Sequence, residues 1–132
     1  MKYLFPALLF FFLVVQAAAQ NKSLKQMSPI PEDTLHIDFY MGIGCPHCAQ
    51  IKPFMEEVKA KYPQVKFREY EIYGNRDNLL ELNKRFRKLD IPFKYQCVPA
   101  LFIEAECLTG YKDIRFKLEE AIEKRLKKEN PK

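Results

Sequence analysis

Cys45 and Cys48 are separated by two residues, Pro46 and His47, and they are the residues of this chain best suited to chemistry. Two cysteines at this spacing can close a disulfide and exchange it with other thiols. The thiolate is the nucleophile, and a C-x-x-C motif at a helix N-terminus can lower a cysteine pKa from about 8.5 to about 3.5–7.5. We therefore predict that Cys45 attacks and that Cys48, one helical turn along, resolves the mixed disulfide.

The sequence around the motif predicts the setting that this chemistry requires. Leu35–Tyr40 is typical of a buried strand, and Gly42 and Gly44 permit a sharp turn after it. Pro46 suits the first position of a helix, which places Cys45 at or near the N-cap. The sulfur of Cys45 is then expected to face unpaired backbone N–H groups and the positive end of the helix dipole.

His47 lies between the two cysteines and has two interpretations. A protonated His47 adds positive charge beside the sulfur and stabilises the thiolate. A histidine at this place can also be an exposed turn residue without a chemical role. His36, within the predicted first strand, is interpreted as structural.

The first 19 residues have the pattern of a secretory signal peptide. Lys2 is followed by an apolar run over residues 7–15 and by the small residues Ala17-Ala18-Ala19, which predict cleavage before Gln20. The alternative is an uncleaved anchor, but the run is shorter than the roughly 20 residues of a membrane span. We therefore expect an exported protein, periplasmic or secreted, with no stable membrane span after cleavage. Export implies an oxidising compartment.

The remaining length suits one domain. Residues 20–32 are polar, carry Pro29 and Pro31, and are predicted to be a flexible lead-in to a domain at 33–128, with a tail at 129–132. The net charge of the chain is +5, but the charges are interspersed, so no nucleic-acid partner is predicted. The densest basic stretch, residues 84–88, is interpreted as the solvated face of a helix.

Apolar periodicity predicts the elements of this domain. After the first strand these are a helix at Pro46–Tyr62 kinked by Pro53, a strand at Val65–Tyr73, a helix from Asn75 or Asp77 to Leu89, a loop at Asp90–Gln96, strands at Val98–Glu104 and Cys107–Thr109, and a helix at Asp113–Lys128. The order β-α-β-α-β-β-α predicts an α/β fold. Its mixed four-stranded sheet ends in an antiparallel hairpin and carries helices on both faces.

This order resembles the thioredoxin fold over nearly all of residues 33–128. Three features carry the resemblance: the C-x-x-C motif between a strand and a helix, Pro53 where thioredoxins have a helix-kinking proline, and Val98-Pro99-Ala100 where they have a cis-proline. The resemblance implies a thiol–disulfide oxidoreductase. It requires no dissociable cofactor, because the redox-active group is the Cys45–Cys48 disulfide itself.

Pro46-His47 and Val98-Pro99 resemble the corresponding residues of DsbA-type dithiol oxidants, although this chain has no room for the large helical insertion of DsbA proteins. The resemblance implies that the Val98-Pro99 loop holds the substrate chain through backbone hydrogen bonds. By its sequence alone Pro99 can also be a trans-proline that begins a strand. The fold match favours cis.

Two acidic residues are candidates for proton transfer near the motif. Thioredoxins bury an aspartate on the strand before it, but Asp38 is one residue too far from Cys45, so strand alternation turns it to the other face. Glu69, on the second strand, is a possible proton carrier for Cys48. The alternative is that Glu69 is an exposed strand carboxylate.

Cys97 and Cys107 are outside the motif. A hairpin turning near residues 105–106 places Cys107 opposite about residue 104, roughly 20 Å along the strand from Cys97. A disulfide between them is therefore disfavoured, because its α-carbons must lie within about 7 Å. We predict that Cys97 is an accessory thiol near the motif and that Cys107 is a small buried residue.

We expect an extracytoplasmic thiol–disulfide oxidoreductase that acts on protein thiols or disulfides together with a redox partner protein. One alternative is a domain that binds or delivers copper or zinc through Cys45, Cys48 and Cys97, with His47. No second C-x-x-C or histidine pair supports this alternative, so no metal site is predicted. The other alternative is a non-catalytic thioredoxin-like adaptor, which the presence of both cysteines and Pro99 disfavours.

Overall fold

The computed structural model describes residues 34–129. In chain order the elements are β1 (His36–Met41), α1 (Pro46–Lys61), β2 (Lys66–Glu71), α2 (Arg76–Lys88), a 3-10 turn (Phe93–Tyr95), β3 (Ala100–Ile103), β4 (Glu106–Thr109) and α3 (Gly110–Glu129). The predicted order of helices and strands is confirmed. The predicted signal peptide (1–19), the lead-in (20–32) and residues 130–132 lie outside the described residues.

The four strands form one mixed sheet in the order β2-β1-β3-β4. β1 pairs with β2 in parallel, because α1 carries the chain back between them, and β3 is antiparallel to both β1 and β4. The predicted mixed sheet with a final antiparallel hairpin is therefore confirmed.

Helices cover both faces of the sheet. Alternation along β1 sends Ile37 and Phe39 to one face and Tyr40 to the other. The first face packs against α1 and α3, and the second against α2. The main buried residues of the α1–α3 face are Ile37, Phe39, Ile51, Met55, Val58, Leu101, Ile103, Ile114, Leu118 and Ile122, and those of the α2 face are Tyr40, Ile72, Leu82, Phe86, Ala100 and Phe102.

Three element boundaries differ from the prediction by two or more residues. β2 ends at Glu71, so Tyr73 lies in the loop beyond it. β3 begins at Ala100, because Pro99 has no N–H to give to the ladder. α3 begins directly at Gly110, whose φ of 77° lets the chain turn from β4 into the helix without a linker.

The predicted register of the hairpin is wrong. The turn lies at residues 104–105, Ile103 pairs with Glu106, and Cys107 therefore lies opposite Phe102. A two-residue turn of this kind requires a positive φ, and Glu104 supplies it at 52°. Glutamate is not a usual residue for this conformation, so the sequence carries no signal that would place the turn there.

Candidate active site

Cys45 is the N-cap of α1, as predicted. Its backbone is extended, with φ −74° and ψ 119°, and Pro46 occupies the first helical position. The Cys45 sulfur accepts a hydrogen bond from the Cys48 N–H at 3.4 Å, and the Cys45 carbonyl accepts from the Ala49 N–H at 3.0 Å. The sulfur thus replaces the side-chain oxygen that usually caps a helix, and it lies at the positive end of the helix dipole.

Gly42 connects the loop before α1 to both cysteines. Its carbonyl accepts a hydrogen bond from the Cys45 N–H at 3.1 Å, and its backbone acts to lower the pKa of the Cys48 thiol, against the larger effect of burial. The ring of Tyr73 fills the space beside it: a β-carbon added at Gly42 would lie 2.5 Å from Cε2 and 2.6 Å from Cζ of that ring. The absence of a side chain at Gly42 is what lets the tyrosine ring approach.

The two cysteine side chains differ chemically. Both residues are buried, at 7% exposure for Cys45 and 4% for Cys48. The pKa of the Cys48 thiol is raised to about 12, first by burial and then by its hydrogen bond to Cys45, against a smaller lowering by the Gly42 backbone. Cys48 is therefore held as a neutral thiol.

The loop before β3 lies next to the Cys45 sulfur. The Val98–Pro99 peptide bond is cis, and the Val98 carbonyl accepts a hydrogen bond from the Cys45 thiol at 3.9 Å. The Pro99 carbonyl accepts from the Gly110 N–H at 2.8 Å, so the buried proline is anchored at the start of α3. The geometry brings Val98 and Pro99, the two predicted substrate-binding residues, to the motif.

His47 is exposed in the first turn of α1, between the two buried cysteines. Its imidazole is open to solvent beside the motif. Both interpretations given above, the stabilising cation and the exposed turn residue, are compatible with this position.

Glu69 lies at the surface. Its side chain is 44% exposed and forms an ion pair with Lys59 of α1. These are the surroundings of an exposed strand carboxylate, which is the alternative interpretation of this residue. The only hydrogen bond that its carboxylate makes among residues 34–129 goes to Lys59.

Asp38 points to the α2 face of the sheet, away from the face that carries Phe39, in agreement with the strand alternation. Its carboxylate is buried and accepts hydrogen bonds from Arg68 at 2.5 and 3.0 Å, and Arg85 of α2 lies 2.7 Å from it. These three residues line a cavity of about 660 Å³ whose lining contains neither cysteine of the motif. Asp38 is thus a structural ion pair beneath α2.

Cys97 and Cys107 are free thiols, like the two cysteines of the motif. Cys97 is exposed, and burial, the largest cause, raises the pKa of its thiol while the Thr109 side chain acts to lower it. Cys107 lies opposite Phe102, not opposite residue 104, so the position assumed for it in estimating its separation from Cys97 is wrong. Burial raises the pKa of the Cys107 thiol to about 12, with a smaller contribution from Cys97.

Sequence reasoning missed two residues of the site, Glu71 and Tyr73. Both were included in the second predicted strand, whereas the structure places Glu71 at its last position and Tyr73 in the following loop. Burial, followed by the sulfurs of Cys45 and Cys48, raises the pKa of the Tyr73 phenol, so this side chain belongs to the surroundings of the motif. The Tyr73-Gly74-Asn75 sequence contains the turn signal that could have separated Tyr73 from the strand.

Comparisons with known proteins find similar solved structures. No family model and no curated protein sequence matches this chain. Among solved structures, a buckwheat glutaredoxin–glutathione complex is similar with a TM-score of 0.50 and 12% identity, over 73% of this chain and 80% of that one. Glutaredoxin 1 from Francisella tularensis, complexed with cacodylate, is 22% identical over 67% of this chain and 98% of its own, with a TM-score of 0.48. Oxidised thioredoxin from Plasmodium falciparum is 24% identical over 72% and 84%, with a TM-score of 0.46.

The element order, the sheet topology and the similarity to the buckwheat glutaredoxin define a thioredoxin-like α/β fold. Within residues 34–129, no three histidine, cysteine or acidic side chains are grouped so that they could hold a metal ion. In the same part of the chain, no helix combines the length and apolar composition needed to cross a membrane.

Proposed function

We propose that this protein is an extracytoplasmic thiol–disulfide oxidoreductase that works through the Cys45–Cys48 dithiol. The observation that carries the proposal is the asymmetric pair at the start of α1: the Cys45 sulfur caps the helix, while Cys48 is buried one turn further with a raised pKa. A helix N-terminus stabilises a thiolate, and burial keeps the second thiol protonated until it is needed.

The exchange proceeds in two balanced steps. The Cys45 thiolate attacks one sulfur of a substrate disulfide, a bond forms between the two sulfurs, and the other substrate sulfur leaves as a thiolate. Cys48 then gives its proton to solvent and attacks the Cys45 sulfur, which closes the Cys45–Cys48 disulfide and releases the second substrate thiolate. The substrate gains two electrons and the protein loses two. The same steps run backwards when the protein acts as an oxidant.

The proposed substrates are proteins, and the oxidoreductase is proposed to act together with a redox partner protein. The Val98 carbonyl beside the Cys45 sulfur offers a backbone acceptor for an incoming chain, because it loses its own donor when Cys45 ionises. Two exposed apolar residues flank the same region: Ile43, 74% exposed, before the motif, and Phe93, 89% exposed, in the 3-10 turn that leads to Val98. Such side chains suit contact with an unfolded or loosely folded polypeptide.

Export remains part of the proposal and is supported by the pattern of residues 1–19. The DsbA-like Pro46-His47 pair supports an oxidising direction, because a cation beside Cys45 stabilises the reduced form.

Glu69 stays a candidate proton carrier only if its ion pair with Lys59 opens during the reaction. The copper or zinc alternative is tested by measuring metal bound to the reduced protein.

The decisive experiment compares Cys48→Ser with Cys45→Ser. The first variant keeps the attacking sulfur and loses the resolving one, so it is expected to accumulate mixed disulfides with client proteins, visible as dithiothreitol-sensitive bands on non-reducing gels. The second variant lacks the attacking sulfur and serves as the matched control. Equal accumulation of mixed disulfides by the two variants would contradict the division of roles. If neither variant accumulated them, the support for thiol–disulfide exchange would be lost.

A further inference from the structure

The loop that follows β2 is fastened to the loop that precedes α1 by one carboxylate. Glu71 accepts hydrogen bonds from the N–H groups of Tyr73 at 2.8 Å, Gly74 at 2.7 Å and Ile43 at 3.2 Å. The Gly74 bond is the largest of the effects that lower the pKa of Glu71, so the carboxylate stays ionised and keeps all three acceptor contacts. Tyr73 is thereby fixed relative to Ile43, two residues before Cys45.

The tyrosine ring lies against the backbone that holds the cysteines. Its Cε2 and Cζ atoms lie 2.5 and 2.6 Å from the place where a β-carbon of Gly42 would be, and the Gly42 carbonyl accepts a hydrogen bond from the Cys45 N–H. The hydroxyl, attached to Cζ, is near enough to the motif for the Cys45 and Cys48 sulfurs to raise the pKa of the phenol, while 62% of the tyrosine surface remains exposed. Nothing in the proposed exchange chemistry described so far uses this hydroxyl.

We propose that Tyr73 is a catalytic residue of the dithiol site, whose hydroxyl donates a hydrogen bond to the Cys45 thiolate, and that Glu71 is the residue that positions it. Together with the Cys48 N–H, the phenol gives the sulfur a second donor. The proposal rests on the proposed function of the Cys45–Cys48 pair and specifies how its reduced form is stabilised. Desolvation, and then the neighbouring sulfurs, raise the pKa of Tyr73, which keeps the phenol protonated and able to donate.

This donor acts on the two steps in a defined way. When substrate disulfide is reduced, the Cys45 thiolate forms the new S–S bond and the Tyr73 hydrogen bond weakens. When the first step runs in reverse, the mixed disulfide is cleaved with Cys45 as the leaving group, and the phenol stabilises the Cys45 thiolate that departs. No proton is transferred from Tyr73. The hydroxyl therefore shifts the balance toward the reduced protein and makes the disulfide more oxidising.

The test uses Tyr73→Phe, which keeps the ring against Gly42 and removes only the hydroxyl. We expect the rate of Cys45 alkylation at mildly acidic pH to fall at least about fivefold, since hydrogen bonds to charged groups are the strong ones. The equilibrium constant with glutathione should shift in the same sense, and a tenfold shift corresponds to about 30 mV. The matched control is Tyr62→Phe, because Tyr62 is the C-cap of the same helix and its hydroxyl bonds to Glu123 at 3.1 Å.

Glu71→Gln tests the positioning role, because glutamine offers only one acceptor oxygen to the three N–H groups. It is expected to slow Cys45 alkylation in the wild-type background and to add nothing to Tyr73→Phe, since effects through a shared contact are not additive. Full additivity of the two changes would overturn the role of Glu71. A Tyr73→Phe rate equal to that of Tyr62→Phe would overturn the role of Tyr73. Failure of the wild type to equilibrate with glutathione would instead reject the proposed function, since the alkylation comparison requires no turnover.

Discussion

The reactivity of Cys48 can be worked out from its surroundings. Its pKa is raised from 9.0 to about 12, first by burial, so its thiolate fraction at any pH below 9 is about a thousandfold lower than that of an unperturbed thiol. Because alkylating reagents react with the thiolate, the rate of modification should fall by the same factor. In the native reduced protein we therefore expect Cys45 to be labelled and Cys48 to stay unmodified.

The assay is a short exposure to iodoacetamide near pH 6, followed by denaturation and a second, isotopically distinct label. No lysine or arginine lies between Cys45 and Cys48, so tryptic cleavage leaves both cysteines in one peptide, and the labels must be located by fragmentation between them. The same protein labelled in urea at the same pH gives the reference rate for each cysteine.

The variant Cys45→Ser separates the two causes of the low reactivity. It removes the hydrogen bond and the charge that Cys45 contributes but leaves burial, the largest cause, in place. Cys48 should therefore remain slow in this variant. Rapid labelling of Cys48 in Cys45→Ser would show that the neighbouring sulfur, and not burial, governs it. Preferential labelling of Cys48 in the wild type would refute the whole assignment.

Three further outcomes are expected. His47→Ala should lower the reduction potential of the Cys45–Cys48 pair by up to about 30 mV, equivalent to about 1.4 kcal/mol. His36→Ala, at the exposed start of β1, is the control and should leave the potential unchanged. Equal shifts in the two variants would exclude a local effect of a cationic His47. Gly42→Ala should displace the exposed ring of Tyr73 and slow Cys45 alkylation. It should lower the free energy of unfolding in urea by under about 1 kcal/mol, because the clash involves a movable side-chain end. An unchanged alkylation rate would show that the ring is not displaced. Asp38→Asn should lower the free energy of unfolding by about 1–3 kcal/mol, because it leaves Arg68 and Arg85 incompletely paired. If this variant shifted the reduction potential as far as His47→Ala does, the placement of Asp38 on the α2 face would be contradicted.

Much of the fold was predictable because its signals are local. Pro46 at the first helical position, with a strand and two glycines before it, is enough to place Cys45 at the N-cap. Strand alternation likewise placed Asp38 on the face opposite to Phe39. In each case the deciding interaction lies within a few residues, so the sequence contains the necessary information.

The features that were missed depend on contacts between distant segments or on unusual backbone conformations. Glu71 ends β2 because its carboxylate takes up backbone N–H groups from two loops, one of them 28 positions away. The hairpin register follows from a glutamate with positive φ, for which the sequence offers no cue. β3 begins only at Ala100 because the chain bends at Val98 and Pro99, a bend that the apolar run through Val98 conceals.

The position of Cys45 as the cap of α1 ties the redox state to the stability of the fold. A thiolate is a better hydrogen-bond acceptor for the Cys48 N–H than a disulfide sulfur, so reduction strengthens the first turn of the helix. Folding and reduction form a closed thermodynamic cycle. If folding favours the dithiol over the disulfide by some free energy, the reduced protein must exceed the oxidised protein in unfolding free energy by the same amount. If the pair is more oxidising in the folded protein than in the unfolded chain, the reduced protein melts at the higher temperature. The melting difference between the two forms is then a calorimetric measure of the oxidising power of the site.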